Sequence, residues 1–390
     1  MASVPRAALI TVYATVFIDL LGFGILIPVM PFLAREFGAT GLTLGIVMTA
    51  YSAAQFIGSP IIGRLSDRFG RRPVILLSLA ASSLSFVLMG LAHSLSFLIL
   101  ARALCGLSGG SISAAQAYVA DVTSPTERAK YMGLLGASIG MGFVFGPALG
   151  AALADFGLRS VAFVAAAISA ANFVFAFLRL VEPTRSHHEA GAERRPWLQM
   201  VGAVVASPNP RWVLVTMFCV MFGFVSMETT YALLGAERFG MGPRQLGLVF
   251  TLLGFGIALI QGGVVGRLAR RLGEGRVATL GAGTMAVGLG LVPFMPTLGS
   301  SAAALLLLAC GQALATPTLA SLLSRLAGER ERGSTLGLGQ SLQALARGVS
   351  PLLAGALYDY SAKAPYTMGC VVCMGAALLM TRVTTESEAG

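Results

Sequence analysis

The chain has 390 residues, of which 56% are apolar and only 11% charged, with a formal net charge of +10 and a mean hydropathy of +0.80. No water-soluble domain of this size can hide so much hydrocarbon in its core, so the solvent for most of the surface is expected to be lipid. The positive balance does not point to nucleic acid, because the basic residues are spread over short polar segments and not gathered into one polar domain.

Apolar runs lie near residues 8–33, 42–63, 74–92, 95–119, 133–154 and 161–180 in the first half of the chain. Six more lie near 212–234, 246–265, 277–295, 301–322, 335–357 and 366–382, and each run is long enough to cross about 30 Å of hydrocarbon as a helix. The first run begins within ten residues of Met1, but it is too long for a signal-peptide core and has no cleavage site, so it is expected to stay as span 1. The expected fold is an all-α membrane protein of twelve transmembrane helices.

An even number of spans puts both termini on one side. Assigned alternately, the connections on that side hold twenty Lys and Arg residues, against five on the other: Arg35, Arg159, Arg238, Arg244 and Lys363. The positive-inside rule therefore places both termini, and the polar stretch in the middle, in the cytoplasm of a bacterial-type inner membrane.

Ionisable residues within the spans are few: Asp19 in span 1, Arg102 in span 4, Glu228 in span 7 and Arg347 in span 11. A mid-membrane arginine costs roughly 2.5–3.5 kcal/mol on insertion scales, so each should face a polar cavity or a partner inside the bundle. A buried structural pair, or snorkelling to the interface, is the alternative for Arg102, Arg347 and Glu228. The cysteines, Cys105, Cys219, Cys310, Cys370 and Cys373, all sit in apolar runs, which suits packing better than disulfides or a metal site. His93, His187 and His188 lie in loops, no metal-spaced cluster occurs and no span serine has a basic partner. No enzymatic activity, cofactor or metal is therefore expected.

Residues 181–211 form the longest polar stretch, with Pro183, Pro208 and Pro210, and divide the chain into an N-terminal six-helix bundle (1–180) and a C-terminal one (212–390). The halves repeat at an offset of about 204. Gly63-Arg64-Leu65 with Arg68 and Gly70 recurs as Gly266-Arg267-Leu268 with Arg271 and Gly273, Glu127-Arg128 as Glu331-Arg332, and Pro147 and Asp155 as Pro351 and Asp359. Duplicated bundles of this kind are a transporter architecture, with the substrate site near the midplane.

The connection between spans 2 and 3 reads Gly63-Arg64-Leu65-Ser66-Asp67-Arg68-Phe69-Gly70-Arg71-Arg72-Pro73. It resembles the G-x-L-x-D-R-x-G-R-[RK] signature of the major facilitator superfamily, and the resemblance implies a conformational latch made by Gly63, Asp67, Arg68, Gly70, Arg71 and Arg72, with Asp121 as a partner for the arginines. The alternative is a loop whose charge only sets topology. The second copy, Gly266 to Gly273, has no acid at the position of Asp67, so the latch is expected on one side only.

Arg102 to Gly110 resembles the family's R-x-x-Q-G-x-G-x-A segment, which is associated with proton transfer, with Cys105 replacing the glutamine. Gly142 to Ala151 is similar to the G-x-x-x-G-P-x-x-G-G motif of its drug:proton antiporters, with Ala151 for the last glycine; Gly142, Gly146 and Gly150 make one flat helix face and Pro147 a bend point. Asp19 to Pro31 resembles the D-x-x-G-x-G-x-x-x-P-V-x-P of tetracycline-efflux-type members. The departures are in spans 3 and 9, which lack acids, and in span 8, whose strongly polar residue is Gln261.

The resemblance implies a proton-coupled efflux antiporter for a drug-like or lipophilic small molecule, with an importer of a sugar or other nutrient as the alternative. Proton coupling would fall to Asp19, Arg102 and Glu228, since a carboxylate in a membrane helix is disfavoured in its charged form. Substrate contacts would fall to Gln55, Gln116, Tyr231, Gln261, Gln312, Gln340, Gln343 and Arg347, whose amides could equally serve as helix–helix glue. The expected partners are a small-molecule substrate, protons and the lipid bilayer, and the chain is expected to act as a monomer.

Overall fold

The computed structural model describes residues 6–109, 111–124, 127–183, 207–327 and 332–384. Most of the middle stretch 181–211, both chain ends, Gly110 and Glu331 lie outside them. The described residues are helices and short turns. Eleven of the helices are long and apolar enough to cross a membrane, and Arg332–Tyr360, with 29 residues, supplies the twelfth span.

Span 1 is α1 (Arg6–Leu26), followed by the short α2 (Met30–Glu36); spans 2 and 3 are α3 (Gly41–Phe69) and α4 (Arg71–Gly90). Span 4 is divided into α5 (Leu95–Ser108) and α6 (Ser111–Val122), and spans 5 and 6 are α7 (Arg128–Leu153) and α8 (Leu158–Arg179). In the second half, span 7 is α9 (Pro208–Phe239), span 8 is α10 (Pro243–Gly263) with α11 (Val265–Leu272) after it, and span 9 is α12 (Glu274–Leu291). Spans 10, 11 and 12 are α13 (Leu298–Leu326), α14 (Arg332–Tyr360) and α15 (Ala364–Thr384).

Three boundaries differ from the sequence expectation, each for a local reason. Span 1 ends at Leu26 and restarts at Met30: Pro28 has no N–H to donate, and the carbonyls of Gly24 and Leu26 bond instead to Ile27 and Val29 three residues on. Span 4 breaks at Gly109, whose N–H turns back to Gly106 O. The arginine-rich segment after span 2 is not a loop. Gly63 to Phe69 are the last turns of α3, Gly70 alone makes the turn with φ 108°, and α4 starts at Arg71.

Over the described residues the chain forms two compact units, one of Met1–Ala39, Ile46–Ala190 and Met241–Thr251, the other of Thr40–Gly45, Gly191–Gly240 and Leu252–Gly390. In the first, α1 packs on α7 and α8, and α4 on α5, α6 and α8. In the second, α9 packs on α14 and α15, and α12 on α13 and α15. The helix partners correspond span for span at the repeat offset, so the bundles are pseudo-symmetric. Even the caps repeat: Ser94 accepts from Phe97 N–H at the start of α5, and Thr297 from Ser300 N–H at the start of α13.

The α1–α7 contact is made of backbone. A Cβ on Gly24 would lie 2.9 Å from Gly146 Cα, one on Gly146 2.5 Å from Gly24 Cα, and one on Gly142 2.6 Å from Leu20 Cβ, while one on Gly150 would run into the Ile25 carbonyl. Small residues at four-residue spacing let two helices approach this closely where lipid provides no hydrophobic drive. Outward faces are apolar, as Ile10, Leu77, Leu100, Leu178 and Val371 show, each with at least 65% of its surface exposed.

Candidate functional site

In the first unit, Leu9, Val12, Val16 and Leu20 of α1 join Ile75 and Leu79 of α4, Ala115 and Tyr118 of α6 and Ala176 of α8 in one buried apolar cluster. Asp19 stands at its edge. The Ser111 hydroxyl at the start of α6 donates to Asp19 Oδ2 over 2.7 Å. A small cavity beside the pair is lined by Thr15, Asp19 and Ser111 among apolar side chains. Asn172 of α8 ties α1 down nearby by donating to Thr15 O at 2.9 Å. A carboxyl group so placed can hold a proton among apolar side chains, and in its ionised form it accepts the Ser111 hydroxyl's hydrogen bond.

Arg102 of α5 is 95% buried and lies over two rings, with Cζ 5.6 Å from the Phe23 centroid and 5.0 Å from that of Tyr51. Its Nη2 approaches Met48 Sδ at 3.5 Å. Phe23 and Tyr51 stack against each other at 4.8 Å. Gln55, one turn further along α3, donates to the Tyr51 hydroxyl and to Gly109 O, both at 3.3 Å. Arg102, Tyr51, Phe23 and Gln55 thus form one cation–aromatic–amide cluster, bonded at the break in span 4. Gln116 is half-buried on α6.

In the second unit, Gln343 and Arg347 follow each other at one-turn spacing on α14. Gln343 lines a small cavity with Met217, Met221 and Thr316, and Arg347 Nη1 reaches Met221 Sδ at 3.8 Å. Each unit thus sets a span arginine against a methionine sulfur. Tyr231 is fully buried, with its hydroxyl 3.0 Å from that of Ser301. Gln312 Oε1 is buried with no hydrogen-bond partner among the described residues. Glu228 is half-buried, whereas Gln261 and Gln340 are exposed.

The arginine-rich segment converges on Arg71. Its Nε donates to Asp121 Oδ2 at 2.8 Å, and its Nη1 to Asp67 Oδ1 at 2.6 Å and Ser66 Oγ at 3.1 Å. Arg72 donates to Phe177 O and lies over the Phe177 ring, while Arg68 lies over Phe69. Glu182, just past α8, accepts from the backbone N–H groups of Arg71 at 2.6 Å and Arg72 at 2.8 Å, capping α4. Sequence reasoning singled out neither Glu182 nor Ser111, because each is one polar residue outside any motif.

Residues 12–351 match the family described as Major Facilitator Superfamily. The chain is 31% identical to Multidrug resistance protein 2 of Bacillus subtilis over 98% of this chain and 97% of that protein. It is likewise 31% identical to the class C tetracycline resistance protein of Escherichia coli, over 96% and 94%. A Staphylococcus aureus quinolone resistance protein, NorA, is 27% identical over 94% of each chain. Among solved structures, the human organic anion transporter MFSD10 superposes with a TM-score of 0.71 at 26% identity, over 96% of this chain and 99% of that one. Twelve spans in two like bundles, the Gly63–Arg72 signature and these relatives agree: the chain is a transporter of the major facilitator superfamily, and not an enzyme.

Proposed function

We propose that the protein is a proton-coupled efflux antiporter of drug-like or lipophilic small molecules, working by rocker-switch alternating access between bundles 1–180 and 212–390. The observation that carries the coupling is the Asp19 carboxylate at the edge of an apolar cluster, held by one hydroxyl from another span. The relatives named for multidrug, tetracycline and quinolone resistance support the substrate class.

In this reading Asp19 takes a proton from outside and loses it inward, and a charge moved through 100 mV supplies roughly 2.3 kcal/mol for the substrate's outward step. The Phe23 and Tyr51 rings offer a flat apolar surface to a lipophilic ligand, and Gln55 offers an amide. Glu228, Tyr231, Gln312, Gln343 and Arg347 are the second bundle's contacts, with Glu228 selecting for positive charge. Gln116, Gln261 and Gln340 complete the proposed contacts. Both termini and the 181–211 stretch are cytoplasmic, and the protein acts as a monomer.

The test is transport by the purified protein in proteoliposomes under an imposed pH gradient, with a panel containing a tetracycline, a quinolone and a lipophilic cation. Efflux antiport expects accumulation against proton flow. Accumulation in the same direction as protons would establish import, and accumulation indifferent to the gradient would sink proton coupling.

A further inference from the structure

The repeat offset brings a second pair into correspondence with Arg71 and Asp121, with its charges exchanged. Glu274 is the first residue of α12 and follows Gly273, φ 83°, as Arg71 is the first residue of α4 and follows Gly70, φ 108°. Arg325 is the last residue but one of α13, as Asp121 is of α6. Glu274 Oε2 lies 3.5 Å from Arg325 Nε, a charge approach without a hydrogen bond, and the Ser321 hydroxyl donates to Glu274 Oε1 at 2.7 Å. Both pairs therefore join the start of the third span of a half to the end of the fourth.

Helix dipoles give the exchange a physical meaning. The start of a helix favours a negative charge and its last turn a positive one. Glu274 and Arg325 both sit at the favoured ends. Arg71 and Asp121 both sit at the disfavoured ends, and there the Glu182 carboxylate supplies the missing anion to the start of α4. The first half thus needs three groups where the second needs two. The missing acid at the position of Asp67 does not leave the second half without a charged tie.

We propose that Glu274 and Arg325 are a positioning pair of the transport cycle, the charge-inverted counterpart of Arg71 and Asp121, which keeps spans 9 and 10 moving as one body. The proposal rests on the transporter reading above. A bystander ion pair is the competing explanation, since the Arg325 side chain is 74% exposed and the Glu274 side chain 15%, and exposed pairs contribute little.

The experiment compares Glu274→Gln, Glu274→Arg and the exchanged double variant Glu274→Arg with Arg325→Asp in proteoliposomes. Turnover, substrate affinity and thermal melting are all recorded. Coupled charge pairs make the double variant better than the sum of its parts. The proposal expects Glu274→Arg to lower turnover about tenfold with affinity changed less than about twofold, Glu274→Gln to lie between, and the double variant to recover most of the loss. A double variant no faster than Glu274→Arg overturns it. So does a loss of melting temperature with turnover per folded molecule unchanged, which would make the pair merely structural. A wild-type protein that moves no compound of the panel counts against the transporter's proposed substrates. In that case the pair is judged by the rate at which a cysteine introduced at Ala39 reacts with an impermeant thiol reagent, which Glu274→Arg should change and the exchange restore; an unchanged rate rejects it.

Discussion

Ser111 donates its hydroxyl hydrogen to Asp19 Oδ2 across 2.7 Å, linking the middle of span 1 to span 4. If Asp19 carries the proton, Asp19→Asn abolishes uphill transport while downhill exchange and substrate binding persist at least in part. Ser111→Ala removes one charge-assisted hydrogen bond, on the order of 1.5–3 kcal/mol, so transport weakens without being lost. Glu228→Gln should mainly change which substrates are accepted. Uphill accumulation retained in Asp19→Asn and lost in Glu228→Gln would move the proton role to Glu228.

Arg71 ranks its two acids by exposure. The Asp67 side chain is 68% exposed and that of Asp121 26%. An exposed ion pair contributes about 0–1 kcal/mol, so Asp67→Asn should slow turnover modestly. Asp121→Asn leaves a mostly buried guanidinium short of its less exposed partner and should slow it by about tenfold, since bonds to charged groups contribute roughly 1.5–3 kcal/mol. Initial rates at saturating substrate would decide, and a larger effect of Asp67→Asn would make Asp67, and not Asp121, the main acid of the latch.

Gly146→Val should destabilise the first bundle by about 1–3 kcal/mol through overpacking against Gly24. Gly140→Ala, whose added Cβ would meet nothing within 4 Å, should be neutral or slightly stabilising because alanine holds a helix better. Melting temperatures in detergent test both, and equal effects would remove the argument for a backbone contact.

The charge count predicts labelling. Cysteines introduced at Ser186 and Ala190, which lie outside the described residues, should resist an impermeant thiol reagent added to intact cells, and one at Ala39 should react. The reverse pattern would invert the topology.

The spans were legible because length and hydropathy dominate in lipid, and the repeat because Gly70 and Gly273 keep their turn whatever surrounds them. The arginine-rich segment reads in the sequence as the connection between spans 2 and 3 because its charge ends the apolar run, yet Gly63 to Phe69 continue α3 without interruption. The pairings of Asp19 with Ser111, Arg71 with Glu182 and Glu274 with Arg325 were not legible. They join residues from 51 to 111 positions apart, and no single-chain periodicity records which helix ends meet. A carboxylate placed just past span 6, opposite a bare helix start, was the one available hint of Glu182.

The glycine contact between α1 and α7 bears on how such a protein diversifies. Where two backbones touch, the contact asks nothing of side-chain chemistry beyond the absence of a Cβ. Neighbouring positions on the same helix carry the side-chain chemistry instead: Phe23, beside Gly24, turns its ring to Tyr51 at 4.8 Å and meets Phe143 of α7 edge-on at 6.2 Å. Exchange of Phe23 for a smaller or more polar residue would alter the ring contacts with Tyr51 and Phe143 while leaving the Gly24–Gly146 backbone contact in place. The same helix thus meets α7 at one position through bare backbone and at the next through an aromatic ring.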